Sequence, residues 1–92
     1  MAKLILRKPL EYEGIKYEEI QYDFDKLTGE DLLTAESEVN NAGMMAPMAD
    51  LSKAYQAAVF ARAAKIEFAM MRKLSAKDFT NATAAVMAFF GE

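Results

Sequence analysis

A chain of 92 residues with a formal net charge of −3 and neither Cys nor His reads as one domain, since there is no room for two cores. It has no disulfide, no thiolate nucleophile, no imidazole base and none of the usual zinc ligands. Any catalysis would rest on carboxylates, Lys, Ser/Thr or Tyr, so the chain reads as non-enzymatic, with no catalytic residue, cofactor or metal expected.

Hydrophobic residues make up 53% of the chain, with seven Met and no Trp. The longest unbroken apolar run, AAVMAFF at 84–90, is far shorter than the roughly 20 residues of a membrane span. Leu4-Ile5-Leu6 is too short for a secretory core of about 7–15 residues. The chain therefore reads as soluble and intracellular, without a membrane partner. The acidic balance argues against nucleic acid. Residues 1–46 carry five Lys/Arg against ten Asp/Glu, and residues 47–92 six against four, so the two halves should present surfaces of different sign.

The segment KLILRKPLEYEGIKYEEIQYDF is rich in β-branched and aromatic residues. Strands near 3–12 and 15–24 are predicted to pair across Glu13-Gly14, where glycine supplies the positive φ of a tight turn. Leu4 and Leu6 on one arm, and Ile20, Tyr22 and Phe24 on the other, alternate as a buried face should. Pro9 cannot donate to a ladder, which places it at an edge or a bulge.

Thr28 is the predicted N-cap of a first helix. Its hydroxyl and Asp31 form a variant of the reciprocal capping box, and Glu30 and Asp31 suit the positive end of the helix dipole. Leu32, Ala35 and Val39 mark the inward stripe, flanked by Leu33, and NNAG (40–43) is the expected stop. The Met-rich linker spans 40–50 and contains Pro47. Asp50 is the predicted cap of a second helix, LSKAYQAAVFARAAKIEF, which is apolar on most sides and so belongs at the centre or against a partner. EFAMMRKL continues or kinks it. Ser75 and Asp78 repeat the start signal for a last helix, with Phe79, Ala82, Val86 and Phe89/Phe90 at helical spacing. The expected fold is α+β: an N-terminal β-hairpin (1–25) followed by three to four helices (28–91).

DFDKLTGEDLLTAE holds several carboxylates, but Gly29 stands seventh counting from Asp23 and Leu27 fifth, so it fails the calcium-loop frame. One glycine without a GK[ST] ending makes no phosphate loop. The acidic hairpin reads as a solvated face that resists edge-to-edge pairing. Met44, Met45 and Met48 in the linker are suited to an adaptable binding surface. Met70, Met71 and Met87 read as core. Phe89 and Phe90 diverge on a helix, so one can face the core and the other a partner. The candidate partner-binding side chains are Met44, Met45, Met48, Tyr55, Phe60, Phe89 and Phe90.

The order of segments, KLILRKPLEYEGIKYEEIQYDF running into KLTGEDLLTAESEV, an Ala-rich helix, then KLSAKDFTNATAAVMAFFG, resembles the small tail assembly chaperones of long-tailed bacteriophages, in particular the Mu-like prophage group. The resemblance covers nearly the full chain; NNAGMMAPMAD is the main departure. It implies a non-catalytic protein of the bacterial cytoplasm, absent from the mature virion. Such a protein binds the tape measure protein and keeps it soluble during tail tube assembly, with the tail tube protein as a second candidate partner. The alternative is a small self-associating structural or adaptor subunit of a phage or prophage particle, and so a homo-oligomer.

Overall fold

A computed structural model describes residues 2–44 and 52–92 of the chain. It has an α+β fold in which an antiparallel hairpin, β1 (Ala2–Tyr12) and β2 (Ile15–Tyr22), precedes four helices. These are α1 (Gly29–Asn41), α2 (Lys53–Ala64), the single-turn α3 (Phe68–Met71) and α4 (Ala76–Phe90).

The hairpin turns where the sequence predicts. Glu13 and Gly14 both have positive φ, 51° and 80°, as a two-residue turn matched to strand twist requires. Leu4 pairs with Ile20, and Leu10 with Tyr17. Between Ile5 and Leu10 the register shifts, and Pro9 lies in that irregular stretch.

The bulge has a packing consequence. Ile20 and Tyr17 are three apart and point to opposite faces of β2, yet both pack against the core. The additional β1 residues between the paired segments keep Leu4, Leu6, Leu10 and Tyr12 turned inward while β2 changes face. The hairpin thus rolls over the helices along its length.

β2 ends at Tyr22 rather than at Phe24. The Asp23 carboxylate accepts the Asp25 amide at 3.1 Å and starts a 3-10 turn, Phe24–Lys26. α1 then opens on a complete capping box. The Asp31 amide donates to the Thr28 hydroxyl at 3.3 Å, and the Thr28 amide donates to Asp31 Oδ2 at 2.9 Å. The helix closes with Gly43 in the left-handed region, the Gly43 amide on Asn40 O and the Met44 amide on Val39 O, the bond pair of a Schellman motif. Ala35 and Val39 are buried, whereas Leu33, expected at the flank of the buried stripe, is 63% exposed.

α2 is central, lying against α1, α3, α4 and β2. It starts at Lys53, with the Ser52 hydroxyl accepting the Tyr55 amide at 3.3 Å; the predicted cap Asp50 lies outside the described residues. It also ends earlier than the pattern suggests. Lys65 adopts a left-handed conformation, and the Ile66 and Lys65 amides donate to Ala61 O and Arg62 O. This is the same terminating motif, built on Lys instead of Gly. The chain therefore breaks before the short helix α3, which buries Met70 and Met71.

Two carboxylates tie elements together. Asp31 Oδ1 accepts from Arg62 Nε at 3.1 Å and from Nη2 at 2.7 Å, joining the start of α1 to the end of α2. The Thr28 amide, and with it the Arg62 guanidinium, hold the Asp31 carboxyl below its ordinary range. A carboxyl whose folded pKa is depressed contributes stability above its unfolded value of about 4, and loses it as pH falls through the folded value. Asp31→Asn is therefore expected to lower Tm by several degrees at pH 7, with a gap to wild type that narrows near pH 2.5. An equal gap at both pH values in thermal denaturation would show that the charge contributes nothing.

Asp78 is fully buried. Its Oδ1 accepts the Arg7 amide at 2.8 Å, and its Oδ2 accepts the Lys8 amide at 3.1 Å and the Ser75 hydroxyl at 2.9 Å. The first turn of α4 thereby satisfies two amides in the irregular stretch of β1. Burial pushes this carboxyl up, but the two amides and the hydroxyl outweigh it, so that it titrates below its ordinary value.

Candidate partner-binding surface

The aromatic residues are the natural starting point, since they supply the largest apolar area per side chain. Six of them, Tyr22, Phe24, Tyr55, Phe60, Phe89 and Phe90, form one connected chain. Tyr22 lies 5.0 Å from Phe24 and 4.8 Å from Phe60, Phe24 stacks on Phe89 at 4.9 Å, and Tyr55 stacks on Phe90 at 6.0 Å. Phe89 and Phe90 are themselves 6.0 Å apart. The end of the hairpin, α2 and the last turn of α4 are thus joined through their rings.

This arrangement revises the set of candidate residues. Phe60 is 0% exposed and Tyr55 7%, so in this conformation both face the interior, where α2 is enclosed on nearly every side. Phe89 and Phe90 are each half-buried. They sit at roughly 100° to one another around α4 and straddle its buried side, so neither points straight out. Met44 is half-buried and packs against the core just past the C-terminus of α1. Met45 and Met48 lie outside the described residues.

Met87, expected in the core, is 48% exposed. The buried stripe of α4 runs through Asp78, Ala82, Thr83 and Val86, and Met87 falls about 100° away from Val86. It belongs instead to an outward ridge formed with Thr80, Ala84 and Ala88, all exposed. No residue from Phe79 to Gly91 is charged, so this ridge is neutral along nearly its full length. The sequence shows the missing charges, but its spacing alone did not identify which side faces out.

The ridge has a defined border. Phe90 lies one turn beyond Met87 and stacks on Tyr55, while Lys53 Nζ donates to the Thr83 hydroxyl at 3.2 Å; both contacts tie that flank of α4 to the beginning of α2. Met87 and Phe90 thus lie on one flank of α4, with Phe89 and Phe24 on its opposite shoulder.

The polar groups offer less. A cleft of about 410 Å³ is lined by Asp23, Lys26, Asp31, Arg62 and Lys65 among others, but Asp31 and Arg62 are already engaged with each other. Among the described residues no group of three or more acids could hold a metal ion. Asp78, held ionised by its donors, is a hydrogen-bond acceptor committed to the fold rather than a base facing a substrate. No helix among the described residues is long and apolar enough to cross a membrane.

Comparison with protein families returns a match over residues 3–91 to the family described as phage tail assembly chaperone proteins, E, or 41 or 14. Searches of curated proteins and of solved structures returned no match. With the family model spanning residues 3–91, the chain belongs to the phage tail assembly chaperone family.

Proposed function

We propose that the protein is a non-catalytic chaperone that binds the tape measure protein and keeps it soluble while the tail tube is assembled around it. Family membership supports the assembly role. The observation that supports this reading is the uncharged outward ridge of α4, which carries Met87, with Phe90 one turn beyond it. A long helical client exposes apolar stripes before assembly, and a neutral, flexible thioether surface can pack against many such stripes without demanding one sequence. Met44, Met45 and Met48 carry the same side-chain chemistry. On this reading the protein acts in the host cytoplasm and is absent from the finished particle.

Co-expression tests the proposal. The tape measure protein is expected in the soluble fraction with the wild-type chain, and largely in the pellet with Met87→Asp. Circular dichroism should show that variant folded, since an exposed substitution away from special geometry changes stability by about 0.5 kcal/mol or less. A soluble fraction that is the same with and without the chain overturns the proposal.

A further inference from the structure

Five of the chain's eleven Lys and Arg residues come together at the start of α4. Arg7 and Lys8 arrive on the irregular stretch of β1, where Asp78 accepts their amides at 2.8 and 3.1 Å. Arg72 and Lys73 follow directly on α3, and Lys77 lies in the first turn of α4. All five are exposed. We propose that this basic patch docks an acidic segment of a partner protein, one that presents several Asp or Glu side chains on one face. The patch goes beyond the client reading and does not depend on it, since it involves neither Met87 nor the apolar ridge.

The charge is not balanced from within the chain. Among the described residues the ion pairs are Lys3–Glu19 and Arg62–Asp31, so none of the five is matched to a carboxylate. Asp78, at the centre, is fully buried, and its oxygens are taken by two amides and the Ser75 hydroxyl. Glu18, on β2 across from the bulge, and Glu67, just before α3, are exposed and pair with none of the five. Like charges held together repel and weaken the free fold. Solubility would be served as well by cations interspersed with acids over the whole surface. Their convergence from segments far apart in sequence gains energy only when an anion arrives, and a carboxylate matches the arginine fork and the lysine point charge alike.

Two features favour a protein carboxylate over a phosphate backbone. Outside the patch the chain has six Lys/Arg against fourteen Asp/Glu, so a nucleic acid running past the patch would meet repulsion, whereas a short acidic segment would not. Single-stranded nucleic acid is also held by rings on which bases stack, and every Phe and Tyr of this chain is half-buried or buried.

Fluorescence anisotropy on the isolated full chain tests the patch, with a labelled Glu-rich helical peptide and the same peptide carrying Gln for Glu. The Glu peptide is expected to bind and the Gln peptide not to, with an affinity that falls as salt rises. Lys73→Gln and Lys77→Gln should each weaken binding about two- to fivefold, the effect of losing one exposed ion pair. Lys16→Gln removes the same charge at the far end of the hairpin and should leave binding nearly unchanged. Both patch variants should melt no lower than wild type, because each relieves repulsion.

Equal affinity for the Glu and Gln peptides overturns the proposal. So does equal weakening by Lys16→Gln, which would make the attraction a property of net charge, or a loss of binding that tracks a fall in Tm. Tighter binding to duplex DNA or to phosphatidylglycerol vesicles, at matched charge and salt, overturns it in favour of phosphate. The tape measure protein enters none of these measurements, so the client reading stands or falls separately.

Discussion

Asp78→Ala is expected to lower the stability of the fold by roughly 3–5 kcal/mol, the range for removing a buried charged partner whose donors are left behind. Two backbone amides, of Arg7 and Lys8, would lose their acceptor in a part-buried site, and an unsatisfied buried donor costs about 1–3 kcal/mol. The reciprocal Ser75 contact at the N-cap of α4 would also be lost. A domain of this size holds only about 5–14 kcal/mol in total, so the variant should be close to its folding limit at 37 °C. Asp78→Asn should lose less. Its single oxygen can retain one amide, and the Ser75 hydroxyl can rotate to accept from the new NH2 group. Urea denaturation of the three proteins checks the order. A loss below about 1 kcal/mol for Ala would mean that water replaces the carboxylate, and that Asp78 does not hold the strand.

Phe60→Ala is expected to cost about 3–5 kcal/mol, the range for deleting a fully buried aromatic side chain. Phe60 lies 4.8 Å from Tyr22 and 6.4 Å from Phe24, so its removal opens a cavity where the hairpin, the 3-10 turn and α2 meet. Tm should fall by roughly 12–40 °C, at about 4–8 °C per kcal/mol for a domain of this length. Phe60→Leu, which keeps most of the volume, should cost under about 1.5 kcal/mol. Thermal denaturation read alongside client solubilisation separates a core role from a contact role. A core Phe60 gives Phe60→Leu near-normal solubilisation and Phe60→Ala a large drop in Tm. A contact residue would show the reverse, with Tm almost unchanged for Ala and solubilisation lost.

The elements most legible in the sequence were those fixed by local chemistry. Glu13-Gly14 announces its turn because few residue pairs tolerate two positive φ values. Thr28 with Asp31, and Ser75 with Asp78, announce helix starts because the cap bonds lie within four residues. Features that depend on tertiary contact were less visible. α2 is apolar around most of its circumference, so periodicity cannot assign Tyr55 and Phe60 to one side or another; only the helices around it decide. Lys65 in a left-handed conformation ends α2 without the Gly or Asn that would have marked the place. Met87 and Leu33 are apolar residues on the outward sides of their helices, and a pattern that equates apolar with buried assigns both wrongly. The second roles of Asp31 and Asp78 were hidden for a related reason. Each was explained by its cap, and nothing local reveals that the same carboxylate also reaches Arg62 or β1.

The distance in sequence between Asp78 and the amides it accepts, 71 and 70 residues, bears on the order in which the chain becomes ordered. A β-hairpin can form in about 1–10 μs, but a two-stranded one is marginal alone in water. Here its bulged strand acquires acceptors for two amides only when the first turn of α4 arrives. Closing so long a loop is an entropic cost met before the contact is gained, so β1 and α4 should be secured in a single late event. The reverse follows as well. Fraying of the start of α4 frees Arg7 and Lys8 together, so the two ends of the chain open as one cooperative unit while the α1–α2 pair can persist.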